Sequence, residues 1–201
     1  MPDRNLEFYQ NIPAQMPRTK RNFSTGFFRW LYSAMGWRFL GDMPAINKVV
    51  LILVPHTSNW DFFIAVVAKF SLRLRASYVM KQEAFFWPFK NWLISIGGIP
   101  IDRSQPTRVV NQVSQSFDKD EGNWLVITPE GTRKKVKKFK TGFVRIAHAA
   151  EVPIVVVGLN YQQKAIIFAK VVEPSGDHEK DADHLYHYCR ETFVGRRPEN
   201  Q

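Results

Sequence analysis

Lys48-Val49-Val50-Leu51-Ile52-Leu53-Val54-Pro55-His56-Thr57-Ser58-Asn59-Trp60-Asp61 is the stretch that decides the fold. Its first half is aliphatic, rich in β-branched residues and uninterrupted, the pattern of a strand buried on both faces. Ser58 or Asn59 supplies a capping oxygen, so a helix begins at Trp60 and runs to about Leu74. A buried strand that feeds directly into a helix belongs to an open α/β sheet, where ligands bind beyond the strand ends. His56 to Asp61 therefore lie where chemistry is expected.

Downstream the same alternation continues. Strands are expected at 76–80, 98–101, 123–127, 154–159 and 165–172. Helices are expected at 83–96 (broken at Pro88), from Pro106 to about Asp118, at 141–150 and at 181–193. The fold class that follows is α/β, a layered mixed and largely parallel sheet flanked by helices. Upstream, Phe23, Phe27, Trp30, Leu31, Ala34 and Met35 fall at helical spacing and define an N-terminal amphipathic helix within 23–40. It packs on the core, enters a membrane interface, or does both. Residues 1–22 read as an irregular arm, basic at its end through Arg18, Lys20 and Arg21, and 41–201 as the main folded domain.

Length and composition narrow the function. A chain of 201 residues with 45% hydrophobic content suits one domain with a real core. Six Trp and sixteen Phe exceed what that core needs, so some rings are expected to face lipid. A net charge of +10 asks for an anionic partner: nucleic acid, a membrane surface or a phosphate-bearing substrate. The single cysteine, Cys189, excludes an internal disulfide and a Cys-x-x-Cys pair, and suits a reducing compartment. The opening MPDRNLEFYQ has no secretory-signal pattern. The longest aliphatic run, Val49 to Val54, is far short of the ~20 residues of a spanning helix. The expected location is the cytoplasmic face of a membrane, held from the surface without a transmembrane span.

His56 at a strand end and Asp61 in the first turn of the next helix can meet, because the turn between them folds back. Asp61 would then fix the imidazole tautomer while His56 takes a proton from a hydroxyl. Two further strand ends each deliver an arginine, Gly97-Gly98-Ile99-Pro100-Ile101-Asp102-Arg103 and Thr128-Pro129-Glu130-Gly131-Thr132-Arg133. Paired guanidinium groups suit a phosphate. Surface ion pairing of Glu130 with Arg103 or Arg133 is the ordinary alternative.

In order, His-x4-Asp, Gly-x-Ile-Pro-Ile-Asp-Arg, Pro-Glu-Gly-Thr-Arg and Val-Pro-Ile-Val resemble the four blocks of the glycerolipid acyltransferase family, which includes the 1-acylglycerol-3-phosphate acyltransferases. The resemblance covers about residues 47 to 160. It implies that His56 and Asp61 form the catalytic dyad, and that Arg103, Glu130, Gly131, Thr132 and Arg133 bind or arrange the acceptor's phosphate. Pro153 and its neighbours would shape the acyl or acceptor site. The implied reaction moves an acyl group from acyl-CoA or acyl carrier protein to glycerol-3-phosphate or a lysophospholipid such as lysophosphatidic acid. No cofactor or metal is expected. Backbone N–H groups near Ser58 and Asn59 are the expected oxyanion donors. Thr128 and Val156 stand where the family often has an aromatic residue and a second proline, which alters the pocket wall.

Lys134, Lys135, Lys137, Lys138 and Lys140 form a solvated face, or attract anionic headgroups or the phosphates of coenzyme A. Phe85, Phe86, Trp87, Phe89 and Trp92 are core, an acyl groove or an interfacial cluster. Asp177, His178, Asp181, Asp183, His184 and His187 make a poor metal set, without a third fixed ligand for His184 and His187. Ser58 lacks a nucleophile elbow. Two other functions remain in view. A nucleic-acid-binding module would use the charge but leave His56 and Asp61 idle, and a lipid esterase would use water as acceptor. No nucleic-acid partner is expected.

Overall fold

The computed structural model describes residues 5–20, 24–102, 104–117 and 122–201. Among the described residues seven strands form one sheet: β1 (Arg38–Gly41), β2 (Lys48–Val54), β3 (Ala76–Lys81), β4 (Gly98–Ile101), β5 (Asn123–Ile127), β6 (Ile154–Asn160) and β7 (Ala165–Val172). Their order is β1-β7-β6-β2-β5-β3-β4, with every neighbouring pair parallel except β6 and β7. The sheet is thus mixed and largely parallel, as the alternation of elements requires.

The period of two along β2 builds the layers. Val49, Leu51 and Leu53 join a core shared with α2 (Ser24–Ala34) and α3 (Asn59–Leu72). Val50, Ile52 and Val54 face the other way, onto α6 (Gly142–Ala149) and α7 (His178–Thr192). Both faces are dry, which explains why β2 and β6 carry no polar alternation.

Several boundaries differ from the sequence reading. The N-terminal helix spans Ser24–Ala34 and stops short of residue 40, because Gly36 turns the chain at φ +77° and Arg38–Gly41 then pairs with β7. Residue 23, with Arg21, lies outside the described residues. The arm contains a short helix, α1 (Leu6–Gln10), too brief to show a period; Phe8 stacks on Phe39 at 4.9 Å. Pro88 does more than break the helix expected over 83–96: a 3-10 turn (Gln82–Ala84) is followed only at Lys90–Ser95 by α4. Helix α5 (Pro106–Ser114) runs into a 3-10 turn, and its expected end at Asp118 lies outside the described residues. Helix α7 starts three residues early, where Asp177 caps the Lys180 amide at 3.1 Å.

No helix among the described residues is long and apolar enough to cross a membrane.

Candidate active site

Because β2, β3, β4, β5 and β6 run in parallel, their C-terminal ends share one edge of the sheet. The chain leaves β2 through Pro55-His56-Thr57 and enters α3 at a capping box. Ser58 Oγ accepts from the Trp60 amide at 3.1 Å, and the Asp61 carboxylate folds back to accept from the Ser58 amide at 2.8 Å. The same Oδ2 accepts from the Thr57 amide at 2.7 Å and lies 3.1 Å from His56 Nδ1. Helix capping thus brings a carboxylate five residues downstream onto the imidazole.

Asp61 Oδ1 is held as firmly, accepting from Tyr161 Oη at 2.6 Å and Ser58 Oγ at 3.2 Å. Burial by itself would raise this carboxyl; the hydrogen bonds from His56, Tyr161 and Ser58 together outweigh it and keep the group below its ordinary value. An ionised carboxylate can only accept, so His56 Nδ1 carries the proton and Nε2 keeps its lone pair. The Asp61 side chain is 1% exposed and the His56 side chain 21%, so the imidazole reaches the surface while its partner does not. This arrangement can take a proton from a group presented at the sheet edge and stabilise the resulting imidazolium.

Glu130 follows β5, and its Oε1 accepts from the His56 amide at 2.9 Å. Burial pushes this carboxyl up to about 7, and Oε2 is buried without a hydrogen-bond partner among the described residues. Glu130 therefore holds the His56 backbone and makes no ion pair with Arg133. Gly131 turns the chain outward at φ +63°, a conformation that only glycine adopts without strain. Thr132 and Arg133 project into solvent beyond it. The structure thus brings His56, Asp61 and Glu130 together and leaves Thr132 and Arg133 on the rim; Arg103 lies outside the described residues.

One expectation, that amides near Ser58 and Asn59 are the oxyanion donors, is corrected for Ser58. The amides of His56, Thr57 and Ser58 are committed to Glu130 and Asp61, so Ser58 cannot be a free oxyanion donor. Closing the capping box uses that N–H.

Beside the Glu130 turn, on the α5–α6 face of the sheet, lies a groove of about 300 Å³. Val79, Ile101, Val110, Ile127 and Phe143 form apolar walls, and Lys140 and Arg145 contribute cations. The lysine loop is exposed at Lys134, Lys135, Lys137, Lys138 and Lys140, and anchored by buried Phe139.

Two residues escaped the sequence reading. Tyr161 stands just past β6, on the edge that carries His56, and burial followed by its bond to Asp61 pushes its phenol well up, so it remains a donor. Its place directly after the Val-Pro-Ile-Val strand was the available signal. Arg196, on the C-terminal tail, places its guanidinium 5.0 Å from the Trp60 ring and near enough to Tyr161 for its charge to be felt there. No local pattern marks it. Toward the C-terminus Asp181 bonds Ser175 and His187 lies 3.6 Å from Asp183; no group of three metal ligands occurs among the described residues.

A family model described as Acyltransferase matches residues 38–160, more than half of the chain, including His56, Asp61 and the Glu130 turn. The fold is similar to that of the 1-acyl-sn-glycerophosphate (LPA) acyltransferase PlsC from Thermotoga maritima, with a TM-score of 0.53 and 16% identity over 83% of this chain and 73% of that one. A comparison with curated proteins finds no match.

Proposed function

We propose, from the premise that this chain belongs to the acyltransferase family, that it moves a fatty acyl group from a thioester to a hydroxyl of glycerol-3-phosphate or a lysophospholipid such as lysophosphatidic acid. The observation that carries the proposal is His56 Nδ1 at 3.1 Å from the buried Asp61 carboxylate, with the ring's other nitrogen left basic. In this reading His56 Nε2 takes the acceptor's hydroxyl proton as its oxygen attacks the thioester carbonyl carbon. The tetrahedral oxyanion then collapses, the carbon–sulfur bond breaks, and the thiolate leaves with the proton returned by the imidazolium. Asp61 offsets the transient positive charge. The thioester supplies the driving energy, so the protein's task is to align two substrates and shuttle one proton.

The groove beside Glu130 suits an acyl chain on its apolar walls, and its cations Lys140 and Arg145, with Arg133 exposed just past the turn, suit a phosphate. Either acyl-CoA or acyl carrier protein can be the donor. The acceptors are amphiphiles, and the charge of +10 favours work at an anionic membrane surface, the cytoplasmic face suiting a free thiol at Cys189. Helix α2 is built for peripheral contact: Tyr32 is buried while Phe27 and Trp30 point outward, Trp30 being 64% exposed.

The test is a product assay with labelled acyl-CoA and acyl carrier protein donors and a panel of lysolipids, run with and without acceptor. Transfer should require the acceptor, and H56A should lower turnover by about 1,000-fold or more with the fold intact by circular dichroism. Substantial turnover by H56A, or thioester loss without acceptor, would reject the reading.

A further inference from the structure

The aromatic cluster that follows β3 has a definite place in the structure. Phe86, Trp87, Phe89 and Trp92 are exposed, Trp87 at 88%. They are not core. None of them lines the groove beside Glu130. They stand where the chain leaves β3, at the sheet edge that carries His56. Trp60 and Phe63, at the start of α3, are exposed on the same edge and pack edge-to-face at 5.5 Å. The two groups are linked beneath the surface: Phe62 meets Tyr78 at 5.3 Å, and Tyr78 Oη donates to the Leu93 carbonyl of α4 at 3.1 Å.

These rings are displayed by a fixed support. Leu93 and Ile96 bury the inner side of α4, the Lys90 amide bonds the Phe86 carbonyl at 2.9 Å, and Lys69 Nζ bonds the carbonyls of Ala76 and Ile96 from beneath. Phe86 and Phe89 also meet edge-to-face, at 5.6 Å, and a soluble monomer seldom exposes large apolar patches without a partner for them. The charges around it say which partner. Lys90 lies within the cluster, Lys81 is paired with Glu83 at 2.9 Å, and the loop after β5 adds five exposed lysines at the same edge. Lys138 also reaches Glu179, at 3.9 Å, but Lys90, Lys134, Lys135, Lys137 and Lys140 leave a local excess of positive charge, and indole rings beside such an excess match the headgroup layer of an anionic bilayer, where aromatic rings sit between hydrocarbon and water.

We propose that Trp60, Phe63, Phe86, Trp87, Phe89 and Trp92 form a membrane-insertion surface at the mouth of the active site, distinct from α2, which seats the His56 edge against an anionic bilayer. The proposal rests on the acyltransferase reading for its purpose: an amphiphilic acceptor could pass from the bilayer to His56 without crossing bulk water. Its geometry stands without that reading.

The test uses the full chain with vesicles of phosphatidylcholine alone or mixed with phosphatidylglycerol, and compares the parent protein with W87A/W92A and with F27A/W30A. Vesicle binding is followed by co-sedimentation, and ring insertion by quenching of tryptophan emission with brominated lipid. W87A/W92A should bind mixed vesicles at least about tenfold more weakly and lose a large share of the quenching. It should still turn over a short-chain acyl-CoA with glycerol-3-phosphate, both water-soluble, at the parent rate. Parent-like binding and quenching in W87A/W92A, with loss only in F27A/W30A, would overturn the proposal. So would a parent that self-associates in sedimentation and ignores vesicles, which would assign the surface to a second copy. A parent that binds vesicles through these rings but transfers no acyl group would instead overturn the acyltransferase reading and leave the docking surface standing.

Discussion

Tyr161 is the residue whose contribution can be isolated most cleanly. Its hydroxyl donates at 2.6 Å to Asp61 Oδ1, and its ring packs edge-on against Trp37 at 5.1 Å. Y161F keeps the ring and deletes the hydrogen bond alone. A charge-assisted bond of this kind contributes about 1.5–3 kcal/mol. Part of that loss should reach the transition state, where Asp61 balances the imidazolium. The expected outcome is kcat reduced by about tenfold with the acceptor KM little changed, together with a shifted acid limb in the pH–rate profile. A merely structural role would lower melting temperature without moving that limb. Tyr161 and Asp61 are separated by 100 positions, which is why no reading of local spacing pairs them.

Among the elements, α3 shows why His56 and Asp61 were legible. Their approach comes from the capping box at the start of one helix, built from Ser58 and Asp61 and therefore from residues three positions apart. S58A removes an oxygen that accepts from the Trp60 amide and donates to Asp61. It should cost about 1 kcal/mol of stability, read as a lower urea midpoint with unchanged slope. An unchanged midpoint would mean the cap contributes nothing. Helices α2 and α4 were harder to read. Periodicity marks an apolar stripe but not what covers it. In α2 the packed side includes Thr25, Phe28 and Tyr32, whereas Phe27 and Trp30 of the expected stripe are exposed. Strand β1 was missed altogether, since four residues paired only with β7 at the sheet margin carry no pattern of their own.

For the whole molecule, Glu130 ties global stability to pH. It is buried against β2, bonded to the His56 amide, and raised to about 7 from an ordinary 4.5. Below the unfolded value both states hold the proton and the contribution is fully present. Between about 4.5 and 7 the unfolded chain releases it while the folded one keeps it, so stability falls as pH rises, by on the order of 3 kcal/mol in total. Above 7 that slope ends. Asp61, whose value is lowered, acts in the opposite sense and in a more acid range, losing its contribution as pH falls. Urea unfolding across pH 5 to 8 should therefore show a decline that E130Q flattens, because the amide fills the same space and can still accept from His56. An equal decline in E130Q would remove Glu130 as its source.

The layered α/β class, the central strands and the His56–Asp61 pairing were determined by the sequence alone, because each follows from residues a few positions apart: β-branched runs, a capping box, turns after strands. The partners that complete the site were decided only by the tertiary structure. Glu130 lies 74 positions beyond His56, and Tyr161 meets Asp61 from the end of β6. Those contacts exist because β5 and β6 flank β2 in parallel and end at one edge, an order set by packing both faces of the sheet. The same packing buried Tyr32 and left Trp87 in solvent, a difference that hydrophobicity cannot show.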